Sequence, residues 1–340
     1  MKKAWKFPLS SDIRVAIIFN QPTKPFKGES IDYVAEASVE EEVCAVKQSL
    51  KMLSLNHQIF PLKDMLEFIE ALTAYKPDVV VNLCEGAFGD SDHEMHLPAM
   101  LELLNIPYTG STPLTLGLCK DKGLTKSVLK EYGVPVPDYC IINSFREWRQ
   151  QIDFPLFVKP LREDASLGIS RKSYVRNEDE LRAQVEYVNK RYGQPALVEE
   201  YITGRELNIA ILGNDDPKVL PISEIIFDFQ DEPKIFDYSA KWIKDSDGYQ
   251  KTTPICPANL NPSVKAKLKE VALKAYKALR CRDYATVDIR LKEGSPIVLE
   301  VNPNPDISPD AFFAMALKAS GISYQEFVKN IIHFALERFY

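Results

Sequence analysis

Apolar residues fall along this chain at two alternating spacings. IRVAIIFN (13–20) is a near-continuous apolar run of strand length, and EEEVCAVKQSLKMLSL (40–55) spaces its apolar residues at helical intervals. HQIFPL follows as a short strand, and a helix is expected near 63–75. PDVVVNLCEG (77–86) is a strand that ends in a polar loop. HLPAMLELLN then reads as a helix, and IPYTGS as a short strand and turn. This βαβα order predicts an open parallel sheet over residues 1–115. Ligands of such sheets gather at the carboxyl ends of the strands, so Asn20, Asn82 and Glu85 border an expected cleft.

The pattern changes after residue 115. KDKGLTKSVLKEYG predicts a helix closed by Gly133, and FPLFVKPL (154–161) a strand with Lys159 inside it. A lysine in an apolar strand needs a partner or must reach the sheet edge, because an unpaired buried charge is costly. REDASLGIS is a turn-rich loop, and EDELRAQVEYVNKRY is a helix. PALVEEYITGRELNIAIL (195–212) reads as one strand carrying Glu199, Glu200 and Glu206. FDYSAKWIKDSDGYQKTT (236–253) is expected to be a long mobile segment, followed by a helix over 262–279 and a terminal helix. Between those helices lie two strand-like runs, YATVDIRL (284–291) and VLEVNPNP (298–305), with a turn at Gly294.

A hairpin symmetric about Gly294 places Asp288 opposite Glu300. The strand period of two predicts Val298, Glu300 and Asn302 on one face, and Ile297, Leu299 and Val301 on the other. Facing carboxylates repel. They suit either a wet polar face or a cation lodged between them. Mg²⁺ takes a few carboxylate and carbonyl oxygens and keeps water and phosphate oxygens, a set that Asp288, Glu300 and Asn302 can supply.

Composition narrows the classes. The 340 residues suggest two or three domains, and 45% hydrophobic with 26% charged residues is an ordinary globular balance. A net charge of −6 disfavours nucleic acid as a partner, and no apolar run reaches membrane-spanning length. The opening MKKAWKFPLSSD lacks the apolar core of a signal peptide. Six scattered cysteines without CxxC spacing suit a reducing, cytoplasmic setting. His93 and His96 have no second ligand pair and read as surface or helix-start residues.

Together FVKPLREDASLG, LVEEYITGRE, FDYSAKW, VDIRL and VLEVNPNP, in this order, resemble the ATP-grasp fold. With LELLNIPYTGS and CKDKGLTK added, the chain is similar to the D-alanine–D-alanine ligase family from about residue 38 to 325. The resemblance implies a Rossmann-like α/β domain (1–115) followed by a two-lobed α+β ATP-grasp fold. Its central subdomain would span 116–199, and its C-terminal subdomain with the metal site 200–340. It implies that Lys122 and Lys159 contact ATP phosphates, and that Ser166 and Gly168 lie in the loop covering them. Backbone groups of Glu199, Glu200, Tyr201 and Ile202 would meet adenine, with Glu206 near the ribose. Lys241 would reach in from a closing segment, and Asp288, Glu300 and Asn302 would hold Mg²⁺ or Mn²⁺. The implied reaction phosphorylates a carboxylate and lets an amine displace the phosphate. Small-molecule partners follow, and the resemblance suggests a homodimer through first-domain helices.

The departures lie on the substrate side. Of the family's Glu–Ser–Tyr set, the Glu position falls on Glu42, the Ser on Ala165 and the Tyr on Trp242. The oxyanion arginine aligns with Thr286, which leaves Arg290 as a candidate replacement. The residue that would hold the second substrate's carboxylate falls on Ala311. Asp164 stands where glycine is usual in the phosphate loop, and NQPTKPFKGES replaces a glycine-rich turn. The expectation is an ATP-dependent carboxylate–amine ligase with a changed substrate pair, read by Asn20, Glu42, Glu85, Trp242, Asn304 and Asp306. The alternatives are a genuine D-alanine–D-alanine ligase, a small-molecule kinase and a non-catalytic nucleotide-binding module.

Overall fold

The computed structural model describes residue 9 and residues 12–23, 27–231 and 233–339. The opening stretch, apart from Leu9 and Asp12, and residues 24–26 of NQPTKPFKGES lie outside them. Strands β1 (Arg14–Asn20), β2 (Asn56–Leu62) and β3 (Val79–Asn82) form a parallel sheet in the order β2-β1-β3. The alternate residues of β1 enter two different cores. Val15, Ile17 and Phe19 pack with Val39, Val43 and Val46 and with Phe327, Ile331 and Ala335 of the terminal helix. Ala16 and Ile18 pack with Phe68, Leu72, Leu97 and Leu101. Both faces being covered explains why β1 is apolar throughout. The expected strand in IPYTGS reduces to one parallel bridge, Tyr108 to Val80.

Two antiparallel sheets follow. Strands β4 (Tyr139–Ile142), β5 (Leu156–Pro160), β6 (Tyr174–Val175) and β7 (Ala196–Glu200) pair in the order β4-β7-β5-β6. The larger sheet holds β8 (Arg205–Leu212), β9 (Lys218–Val219), β10 (Ser223–Phe227), β11 (Thr252–Ile255), β12 (Tyr284–Lys292) and β13 (Ser295–Asn302). Its order is β11-β10-β8-β12-β13, with β9 beside β8. The helix Pro262–Ala278 covers its inner face through Leu268, Ala272 and Ala275.

Three expectations are corrected. PALVEEYITGRELNIAIL is not one strand but β7 and β8, which belong to different sheets. The chain crosses between them at Tyr201–Gly204. Gly204 has φ +115°, and a Cβ there would lie 2.2 Å from the Leu291 carbonyl oxygen, so only glycine fits the crossing. The 236–253 segment is not structureless: it holds the helices Tyr238–Trp242 and Asp247–Gln250 and the start of β11.

The hairpin carries the third correction. Its turn is Glu293–Gly294, both at positive φ (52° and 79°), with Lys292 paired to Ser295. That register alone would set Asp288 opposite Leu299. A bulge between Asp288 and Ile289 restores the Asp288–Glu300 pair. It also breaks the strand alternation. Val298 and Val301 both enter the core, while Leu299, Glu300 and Asn302 all line the cleft. The expected face of Val298, Glu300 and Asn302 was therefore wrong at Val298, and Leu299, expected on the opposite face, lines the cleft beside Glu300.

Candidate active site

A cleft of about 830 Å³ receives residues from both antiparallel sheets, among them Lys159, Glu199 and Tyr201 from one and Glu206, Asn208 and Asp288 from the other. On the larger sheet the cleft face is built as cross-strand rows. Glu206 pairs with Arg290, and Asn208 with Asp288 and then Glu300. Ala210 pairs with Thr286 and then Asn302. In the middle row, burial and the facing Glu300 push the Asp288 carboxyl up to about 7, against a 2.7 Å hydrogen bond from Asn208 Nδ2. Asn302 Oδ1 accepts from the Asn304 backbone N–H at 3.0 Å. Two carboxylates and an amide oxygen fit a cation that keeps water and phosphate oxygens, and do not form a closed protein cage. Among the described residues there is no cluster of three His, Cys, Asp or Glu able to hold a metal.

The first row corrects the expectation for Arg290. Its guanidinium donates to Glu206 Oε2 at 2.5 Å, to the Gly204 carbonyl at 3.0 Å and to the Lys234 carbonyl. Only about 4% exposed, it is committed to that row and is not available as an oxyanion donor.

Lysines supply the cations. Lys159 Nζ and Lys126 Nζ each lie 3.0 Å from an oxygen of Glu199, and all three side chains are buried. Lys126 escaped the sequence reading, although it stands one helical turn after Lys122, an i,i+4 spacing that shares a face. Burial pulls its ammonium down to about 8 despite Glu199. Lys122 Nζ sits 2.8 Å from Asp164 Oδ1 and 3.6 Å from Glu300, and Lys120 Nζ sits 2.9 Å from Asp164 Oδ2. Burial opposes the Asp164 charge, yet these two ammonium groups hold its carboxyl well below the ordinary carboxylate range. Lys120 was not anticipated either. Glu200 pairs with Lys292 at 2.9 Å, and Tyr201 and Ile202 are buried beside it.

Two segments close over these groups and are tied together. Ala165, Ser166 and Gly168 all adopt positive φ, and a Cβ on Gly168 would meet Pro160 at 2.6 Å. Ser166 Oγ donates to the Phe236 carbonyl at 3.1 Å, and Trp242 Nε1 donates to the Ala165 carbonyl at 3.0 Å. The indole thus reaches main chain at the very position where a serine hydroxyl is missing. Lys241 Nζ lies 4.8 Å from the Trp242 ring centre. Tyr238 Oη donates to the Ile31 carbonyl at 2.6 Å, which ties the helix Tyr238–Trp242 to the segment Ser30–Asp32. A Trp242→Phe variant keeps an aromatic ring, smaller than the indole, and loses the donor. One hydrogen bond of this kind is worth about 1 kcal/mol. Turnover is expected to fall roughly three- to tenfold, and unchanged turnover would show that this bond does not tie the two segments together.

On the substrate side Glu42 is 3% exposed rather than solvated. It accepts from the Ile307 backbone N–H at 3.3 Å. Burial, then Glu85 and Asp306, raise its carboxyl well above the ordinary range. Asn304 does not open to the cleft: its amide donates to the Cys84 carbonyl and to Glu94. Asn20 is likewise buried, accepting from the Glu85 backbone N–H at 3.0 Å, and Asn82 turns back to the Cys84 N–H. These three residues hold loops together, and neither they nor Glu85 line the cleft, which corrects the expectation that Asn20, Asn82 and Glu85 border it. His93 and His96 touch each other at 3.2 Å through Nδ1 atoms.

Residues 128–333, more than half of the chain, match the family described as D-ala D-ala ligase C-terminus. A D-alanine–D-alanine ligase of Thermotoga petrophila is 34% identical over 289 residues, 84% of this chain and 89% of that protein. The chain belongs to the D-alanine–D-alanine ligase family. An uncharacterized protein of Sinorhizobium fredii, y4sG, is 36% identical over 263 residues, 77% of this chain and 76% of that one. In fold the chain is similar to the D-alanine–D-alanine ligase of Bacillus anthracis solved with ATP. The TM-score there is 0.76 at 24% identity, covering 96% of this chain and 98% of the other. A second structure of that enzyme gives 0.75 at 26% identity.

This D-alanine–D-alanine ligase family member is therefore an ATP-dependent ligase of the ATP-grasp class that forms carbon–nitrogen bonds. Thr286 and Ala311 both line the cleft, and the neighbouring Arg290 guanidinium is bound to Glu206. No helix among the described residues is long and apolar enough to cross a membrane.

Proposed function

We propose that this ligase joins a carboxylate and an amine other than two D-alanines, through an acyl phosphate. The observation that carries the reading is the pair Thr286 and Ala311. Both line the cleft, while the neighbouring Arg290 is taken up by Glu206. A neutral threonine provides no positive charge for a developing oxyanion, so the reacting groups must differ or be steadied by another donor.

In this reading nucleotide binds between the two antiparallel sheets, with adenine beside the Glu199–Ile202 backbone and ribose at Glu206, which Arg290 holds in place. Lys159, Lys122 and Lys241 neutralise the phosphates. Asp288, Glu300 and Asn302 would hold Mg²⁺, which when bound neutralises charge on the terminal phosphates. The Ser166–Phe236 and Trp242–Ala165 hydrogen bonds keep water from the acyl phosphate. Glu42 and Asp306 are the candidate readers of the substrate amine. Beyond the cation rows the cleft is lined by Glu41, Asp310, Phe236, Phe312 and Met315. Acids beside apolar side chains suit an amine with an apolar body. Lys244 also lines the cleft and is a cation able to hold a carboxylate.

The test is ADP release with ATP and Mg²⁺ against a panel of amino acids, amines and small peptides, with product mass measured. A new amide from a pair other than D-alanine supports the proposal. Formation of D-alanyl-D-alanine at an ordinary enzymatic rate overturns it.

A further inference from the structure

Asn208 projects into the cleft from β8 directly across from Asp288, which in turn faces Glu300, so three side chains stand in a row over three neighbouring strands. Nothing in the sequence marks it: an asparagine in RELNIAIL reads as an ordinary interruption of an apolar strand. Its side chain is 7% exposed, and its Nδ2 donates to Asp288 Oδ1 at 2.7 Å. Its Oδ1 is buried with no hydrogen-bond partner. Buried polar atoms of folded proteins are nearly always satisfied, so an orphaned acceptor on a cleft wall marks a place where a donor arrives from outside. None of the side chains in the row donates to that oxygen: Asp288 Oδ1 already accepts from the Nδ2 end of the same amide, Glu206 is held by Arg290, and Ala210, the next residue on the same face, is apolar.

We propose that Asn208 is a fourth member of the divalent-cation site, a positioning residue that works through both ends of its amide. The N–H end fixes one oxygen of Asp288, which leaves the other lone pairs of that carboxylate for the cation. The oxygen end accepts from water carried in on the cation. A divalent cation that retains much of its water shell presents such O–H donors. Residues one step behind the ligands commonly set affinity in this way, and their loss typically costs ten- to a hundredfold in metal affinity. The inference rests on reading the Asp288–Glu300 hairpin as the cation site.

The test measures Mn²⁺ binding to the ADP-loaded protein by the electron paramagnetic resonance signal of free Mn²⁺, beside ADP affinity in EDTA. Asn208→Ala is expected to weaken Mn²⁺ about tenfold and to leave ADP affinity in EDTA within about twofold. If that variant fails to fold, Asn208→Val, a strand-forming residue without donor or acceptor, must give the same split. Unchanged Mn²⁺ affinity overturns the proposal. So does an equal loss of ADP affinity in EDTA, which would place a nucleotide hydroxyl, not cation-bound water, on the Oδ1 atom. Asp288→Asn is run alongside. If it also leaves Mn²⁺ binding unchanged, the cation-site reading itself falls; if it weakens binding while the Asn208 variants do not, only the role of Asn208 falls.

Discussion

Asp288→Asn is expected to lower turnover at saturating ATP and Mg²⁺ by about 10²–10³-fold, the loss usual when one preorganised charge-stabilising group is removed from an active site. ADP release in the presence of the productive substrate pair measures it. The substitution hardly changes volume, and the new amide oxygen can still accept from Asn208, so the row across β8, β12 and β13 stays intact. What goes is the charge. Burial and Glu300 already push this carboxyl up to about 7 without a cation. A raised acid binds a proton in the folded chain that the unfolded chain has lost, so cation-free stability falls as pH rises from the ordinary carboxylate range to about 7. The substituted amide would mimic the protonated acid, so the variant should be no less stable than the parent at pH 8 while its turnover is lost. Turnover within tenfold of the parent would remove Asp288 from the cation site.

Glu199→Gln carries the second large effect, on stability. The Glu199 carboxylate is the shared counter-charge of Lys126 and Lys159, at 3.0 Å from each, and the three side chains are at most about 5% exposed. Removing it leaves two buried ammonium groups beside a neutral amide. Breaking a buried ion pair from one side typically costs about 3–5 kcal/mol, because the remaining charge loses its counter-charge. Urea unfolding should show the loss as a lower midpoint with an unchanged slope. Adding Lys126→Met should return part of it, since that removes one of the two stranded charges. A stability loss under about 1 kcal/mol for Glu199→Gln would mean that water reaches the lysines.

Both predictions turn on groups whose partners come from distant parts of the chain. Lys159 looked anomalous in its apolar strand because a buried lysine demands a counter-charge, and that demand was legible. The identity of the partner was not legible: Glu199 lies on the adjacent strand β7, and the second lysine, Lys126, approaches from a helix. Asp164 was visible as an acid in a loop where glycine is usual. Its place between Lys120 and Lys122 depends on how that loop folds back over the junction of the helices Pro113–Lys120 and Lys122–Glu131. Arg290 was misjudged for a related reason. Its i,i+2 spacing from Asp288 sets it on the same strand face, but the choice between an oxyanion and Glu206 depended on which residue of β8 lay alongside.

By itself the sequence determined the local elements, because apolar spacing is a property of neighbouring residues. It determined the parallel first sheet, the helices at 40–55, 178–192 and 262–279, and the presence of a hairpin that brings Asp288 to Glu300. Only the tertiary structure decided the division of residues 195–212 between two sheets, the bulge that keeps Asp288 opposite Glu300, and the pairing of Asn208 with both. A bulge, a crossing at Gly204 and a shared counter-ion each cost free energy locally and are offset by contacts far along the chain. Those contacts do not exist until the strands have met, so no local pattern encodes them.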